Sequence, residues 1–251
     1  MKCWRCGTEH TAPRCPRCGA WAQAQAQAQA IPKARGAVPV PVTQVPKRSP
    51  SNFVDLPFAV WPRGVPRGAV ILLGGAPGAG KSTLALQMAA QLAKKGPVLY
   101  ATAEETLEQL RARAERLQAL APRLYVVSEH QLGRILRAAE ELRPAVLVVD
   151  SAQMLTLRAS DPPGSPTAVR EVAAEIVRWA QQTGTVVIVI SQAPKRGGFA
   201  GPRLLEHIVD AALYLERAGN DGERVLRVTK NRYGGTADIP LRMTEAGLTF
   251  V

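Results

Sequence analysis

Three short stretches hold residue types that do chemistry when they are brought together. Residues 74–83 read GGAPGAGKST. Within them Gly75-x4-Gly80-Lys81-Ser82 matches the phosphate-binding loop, where backbone N–H groups and one lysine gather around phosphate oxygens. Gly75, Gly78 and Gly80 let the backbone turn its N–H groups inward, with Ala76, Pro77 and Ala79 between them. Lys81 reaches toward the β- and γ-phosphates, Ser82 offers its hydroxyl to Mg2+, and Thr83 completes the run. The apolar stretch GAVILLGG precedes the loop, and KSTLALQMAAQLAKK follows with Leu84, Met88 and Leu92 at helical spacing. Strand, loop, helix is the setting the motif requires, and the helix N-terminus adds its own partial positive charge. The implied cofactors are ATP and Mg2+.

Such a site needs a carboxylate to orient the metal and a group to orient the attacking water. AVLVVDS ends a buried strand in Asp150, which suits the first role. LYATAEE ends another strand in Glu104 and Glu105; either carboxylate suits the second role, and either also favours the start of the next helix. VIVISQ brings Ser191 and Gln192 to the same sheet edge, where the Gln192 amide can sense a γ-phosphate. The second stretch opens the chain: Cys3-x2-Cys6 and Cys15-x2-Cys18, with eight residues between the pairs. Two such knuckles complete a tetrahedral, structural Zn2+ site of four thiolates. Twenty-one residues cannot build a core, so the metal would supply the folding energy. Arg5, Arg14 and Arg17 offset the thiolate charge, and a disulfide is the less fitting rival in a chain without a secretion signal. The third stretch is KNRYGG, 230–235, two cations beside two glycines just past a strand.

The elements that must position these groups alternate between apolar strands and amphipathic helices over about 53–215. That pattern predicts an α/β fold, a mostly parallel sheet covered on both faces. The short strands in 208–251 are expected to extend it as antiparallel edges. The expected organisation is a zinc ribbon at 1–21, an Ala/Gln- and Pro-rich linker at 22–52 and a P-loop ATPase domain at 53–251. Of 251 residues, 46% are hydrophobic and 21% charged, ordinary for a soluble protein. No apolar run approaches the ~20 residues of a membrane span, and a cytoplasmic protein is expected. The formal charge is +12, with +7 carried by residues 1–50, which favours a polyanionic partner. In KRGGFAGPR, Lys195, Arg196 and Arg203 surround glycines and Phe199. Such cations track phosphates and Phe199 can stack on a base, so salt-sensitive binding of single-stranded DNA is expected rather than sequence readout. Arg111 and Arg113 read as solvated helix surface.

The order of these motifs resembles the RadA/Sms family of bacterial recombination and repair ATPases. The resemblance runs from the ribbon ending CPRCGAW through GGAPGAGKST, LVVDSAQ, PGSPTAVRE and AGPRLLEHIVDAALYLE to KNRYGG. It implies a RecA-like core similar to hexameric DnaB-type helicases. It also implies a homo-oligomeric ring, a hexamer, that hydrolyses ATP on single-stranded or branched DNA, with a recombinase or replication protein as partner. Carried over, Asp150 is the Walker B acid, and Glu104, matching the first Glu of the family's GEES, is the catalytic carboxylate. Residues 195–203 correspond to a central DNA-contacting loop, with a second near 158–170. Lys230 and Arg232 are expected to reach the γ-phosphate held by the next subunit. Asn231 and Tyr233 (where Phe is usual) would hold that loop, and Gly234 and Gly235 would let it turn. Two departures stand out. SQAPK replaces the usual Gly-His-Val-Thr-Lys, which makes Gln192 more like the RecA and DnaB sensors. The sequence also stops at Val251, where the family continues into a Lon-protease-like domain. The alternative reading is a nucleotide-switched adaptor whose ribbon recruits a protein.

Overall fold

The computed structural model describes residues 6, 8, 9, 17, 18, 41–45, 49–58, 60–158, 162–192, 205–219 and 222–251. The chain divides into two units, Met1–Lys47 and Arg48–Val251. In the first, Val42–Gln44 make one 3-10 turn, and the Cys6 thiol donates to Thr8 Oγ1 at 3.3 Å. Cys3 and Cys15 lie outside the described residues, as do Lys195, Arg196, Phe199 and Arg203.

The second unit opens with a two-stranded antiparallel sheet of β1 (Phe53–Val54) and β2 (Val65–Pro66). Then follow β3 (Val70–Gly74), α1 (Lys81–Ala93), β4 (Val98–Thr102), α2 (Leu107–Arg116), β5 (Leu124–Ser128) and α3 (Leu132–Leu142). Next come β6 (Val146–Asp150), α4 (Pro166–Thr183), β7 (Val186–Ile190), β8 (Ala211–Arg217), β9 (Glu223–Asn231), β10 (Asp238–Thr244) and β11 (Gly247–Phe250). One nine-stranded sheet has the order β11-β10-β9-β8-β3-β7-β6-β4-β5. From β5 to β8 every neighbouring pair is parallel; β8–β9, β9–β10 and β10–β11 are antiparallel. Every residue of β3, β4, β6 and β7 is buried, as strands covered on both faces must be. Leu84, Leu86, Met88 and Leu110 of α1 and α2 fill one apolar layer. Ile135, Leu136, Val172 and Ile176 of α3 and α4 fill the other.

Two expectations are corrected. β8 is not an antiparallel edge: it runs parallel to β3 inside the sheet, and its Ala211, Ala212, Leu213 and Leu215 are buried on both layers. β9 is longer than its apolar pattern suggested and ends at Asn231, so Lys230 and Asn231 are strand residues rather than loop.

Candidate nucleotide site

The phosphate loop leaves the carboxyl end of β3, where parallel sheets present ligand sites. Its Gly75, Gly78 and Gly80 have φ of 143°, 74° and 108°, values that residues with a Cβ avoid. Gly80 is constrained twice, since a Cβ there would lie 2.5 Å from Met243 Cε of β10. Gly80 is also the left-handed cap of α1, which has no side-chain cap and no acidic residue in its first turn. α2, by contrast, is closed by a Thr106–Gln109 capping box, and Ser165 caps α4. The first N–H groups of α1 are therefore left for an anion.

A cleft of about 340 Å³ brings Lys81, Ser82, Glu104, Asp150 and Gln192 together, with Pro77, Gly78 and Thr83 along the loop side. Lys81 is 6% exposed. Its ammonium donates to the carbonyls of Gly75 at 3.0 Å and Ala76 at 2.9 Å. Burial lowers its pKa, opposed by the charges of Asp150 and Glu104. Ala79 faces away from the cleft, into the core.

The two glutamates part company. Thr102 Oγ1 accepts both backbone N–H groups, Glu104 and Glu105, at 3.2 Å, and so shapes the turn that separates them. Glu104 lines the cleft and its carboxylate accepts the Ser151 hydroxyl. Glu105 turns to Arg113, 2.9 Å away, and burial raises its pKa against that guanidinium's pull. Arg113 is therefore no solvated surface group: its side chain is 14% exposed. Arg111, 65% exposed and paired with Glu115, is one. Behind Asp150, Tyr100 donates its phenolic proton to Oδ2 at 2.6 Å. A hydroxyl and a carboxylate at a phosphate loop are the hard oxygen donors that fit Mg2+, and Ser82 and Asp150 are the residues that would hold it.

Four further residues were given no role by the sequence, although Ser151 and Gln153 lie within LVVDSAQ. Gln153 donates from its amide to Ser191 Oγ at 2.5 Å and to the Gln192 carbonyl at 3.3 Å, tying the end of β6 to the end of β7. Arg217 and Arg224, cross-strand neighbours on β8 and β9, donate to the loop carbonyls of Gly78 at 3.2 Å and Ala79 at 3.1 Å. Ser151 completes the set. These contacts join residues far apart in the chain, so only the sheet order reveals them.

KNRYGG is elsewhere. The Lys230 ammonium donates to the carbonyls of Glu206 at 2.6 Å and Val209 at 2.7 Å. Arg232 donates from its backbone to Asp210 O and from Nη1 to Asp210 Oδ1, both at 3.1 Å. The other Asp210 oxygen accepts from the N–H of Val70, the first residue of β3. This loop thus sits at the amino end of the strand whose carboxyl end carries the phosphate loop, about 17 Å away at about 3.3 Å per residue. Asn231 accepts from Trp61 Nε1 at 2.9 Å and Tyr233 N at 3.1 Å, and donates to Gly235 O at 2.7 Å. Neither glycine serves by positive φ. Gly234 is required because a Cβ would lie 2.6 Å from the Val60 carbonyl, whereas a Cβ at Gly235 meets nothing within 4 Å.

Among the described residues no group of three or more His, Cys, Asp or Glu lies together as a metal site, and no helix is long and apolar enough to cross a membrane. A model of the AAA domain family matches residues 57–198. The chain is 38% identical to the DNA repair protein RadA of Bacillus subtilis (strain 168) over 99% of its length and 58% of that protein's. It is 36% identical to the DNA repair protein RadA of Pseudomonas aeruginosa over 98% of its length, again 58% of the relative's. The chain thus spans little more than half the length of the curated relatives it matches. Among solved structures, a KaiC-like protein from Pyrococcus horikoshii OT3 matches 82% of the chain and 99% of its own, with a TM-score of 0.65 and 21% identity. That likeness places the sheet among RecA-like P-loop folds.

Proposed function

This chain belongs to the AAA domain family, and we propose that it is a DNA-stimulated ATPase of recombination and repair whose active site is completed by a second copy of itself. One observation carries the reading. The cleft gathers Lys81, Ser82, Glu104, Asp150 and Gln192 in one chain, while Arg232, 57% exposed, projects from the other end of the sheet and cannot reach that cleft in its own subunit. The 38% identity to a DNA repair protein supports the biological setting.

Each residue has a task. The loop N–H groups and the start of α1 receive the phosphates. Lys81 exchanges its two carbonyl partners for β- and γ-phosphate oxygens, and their charge keeps it protonated despite burial. Mg2+, held by Ser82 and Asp150, supplies charge neutralisation at the phosphates when bound. Glu104, fixed by Ser151, orients the attacking water and draws on its proton. Gln192 hydrogen-bonds the γ-phosphate, and residues 195–203, with Lys195, Arg196, Phe199 and Arg203, contact single-stranded or branched DNA. Arg232 of a neighbouring copy stabilises the charge of the transferring group, as an arginine finger does. Lys230 joins it only by giving up its carbonyl partners. Repeating this head-to-tail contact builds a closed ring where the rotation closes, and the family resemblance favours a hexamer. The spacing of Cys3, Cys6, Cys15 and Cys18 supports a structural Zn2+ in the cytoplasmic protein, which metal analysis of Cys→Ser variants tests.

The decisive experiment mixes subunits. Lys81→Ala and Arg232→Ala proteins, each inactive alone, should regain part of the DNA-stimulated turnover when combined. No recovery in verified mixed oligomers overturns trans action. Turnover indifferent to single-stranded DNA at low salt overturns the DNA-dependent reading and favours the nucleotide-switched adaptor.

A further inference from the structure

The group behind Asp150 has no part in the mechanism above, yet it is built with care. Tyr100 sits in the middle of β4 at 0% exposure, where phenylalanine would fill the same space. Its hydroxyl therefore needs partners on both sides, and it has them. It donates to Asp150 Oδ2 at 2.6 Å and accepts from Arg113 Nη2 at 3.4 Å. A phenol keeps its proton at neutral pH, and here that proton points at the carboxylate. The same Arg113 nitrogen lies 2.9 Å from Glu105 Oε2 and 4.0 Å from Asp150 Oδ2. The guanidinium thus sits closer to Glu105 than to Asp150.

We infer that Tyr100 and Arg113, with Glu105 as the anchor, are positioning residues that occupy one oxygen of Asp150 and reserve the other for Mg2+, so that they set how strongly Mg2+ and nucleotide bind together. The relay of contacts, Glu105, Arg113, Tyr100, Asp150, does this without placing a cation in the cleft. It also explains why adjacent glutamates have separate tasks: Glu104 faces the nucleotide, and Glu105 faces the residue that orients the metal ligand. This inference rests on the nucleotide reading of the cleft.

The test is a binding measurement with a fluorescent ATP analogue (mant-ATP) on the full chain, in EDTA and across a series of free Mg2+ concentrations. In Tyr100→Phe, affinity in EDTA should stay within about two-fold of the parent, while the Mg2+ midpoint rises about tenfold or more. Arg113→Met should shift the midpoint in the same direction. The double variant should shift it less than the product of the two single effects, since both act through Asp150. Arg111→Ala, an exposed arginine on the same helix, should match the parent. Midpoints within about two-fold of the parent in Tyr100→Phe and Arg113→Met, with thermal unfolding unchanged, overturn the inference. Equal losses of affinity with and without Mg2+ overturn it too, because they mark a general packing defect. If Tyr100→Phe does not fold, Arg113→Met decides. A parent protein that shows no Mg2+-linked nucleotide binding removes the nucleotide reading itself, and this inference falls with it.

Discussion

The two ends of the parallel strands handle cations in opposite ways. At the carboxyl end, Lys81 is buried among carbonyls and Arg113 is half-buried between carboxylates, and the phosphate loop is braced by Arg217, Arg224 and Met243. At the amino end, Lys230 is held by carbonyls of the chain that precedes β8, while the Arg232 side chain remains more than half exposed beside Asp210. One end gathers the cleft residues of this chain, and the other presents an arginine whose side chain is more than half exposed. The difference teaches that the sheet buries one set of cations among its own oxygens and leaves another at the opposite end turned to solvent.

The comparison can be broken at either end. Arg232→Ala should have the largest effect, a fall of about 1000-fold or more in turnover, with mant-ATP affinity and thermal unfolding retained. A variant that instead loses nucleotide binding would place Arg232 in its own subunit's site. Glu104→Gln should lower turnover by about 100-fold or more while ATP is still bound in a rapid-filtration assay. The same loss in Glu105→Gln alone would exchange the two roles. Gly234→Ala should destabilise by about 1–2 kcal/mol, read from the denaturation midpoint, because its Cβ would press on the Val60 carbonyl. Gly235→Ala should stay within about 0.5 kcal/mol. Equal effects at the two glycines would mean that the loop turns by backbone freedom, contrary to the close approach at Gly234.

Much of this was legible in the chain. Buried strands announce themselves as apolar runs such as VILLG and VLVVD, and the phosphate loop as glycines at fixed offsets from Lys81. Glu104, Asp150 and Gln192 were legible because each ends such a run, and the ends of parallel strands lie on one edge. The direction of β8 was not: AALYLER reads the same whether it pairs parallel or antiparallel, and its place beside β3 depends on what covers it. Arg113 was misread because its neighbours on α2, Arg111, Glu115 and Arg116, are polar. Only the register of α2 over β4 turns that one side chain inward.

The sequence by itself determined the local chemistry: which residues can cradle a phosphate, which strands must be buried, and that Lys230 and Arg232 share one short segment. Those properties follow from residue type and spacing over a few positions. Only the tertiary structure decided which glutamate faces the cleft, which arginines brace the loop, and that KNRYGG sits at the opposite end of β3 from the phosphates. These depend on strand order and register, which join residues as far apart as Val70 and Asp210 and are set by the collective burial of both sheet faces rather than by any local pattern.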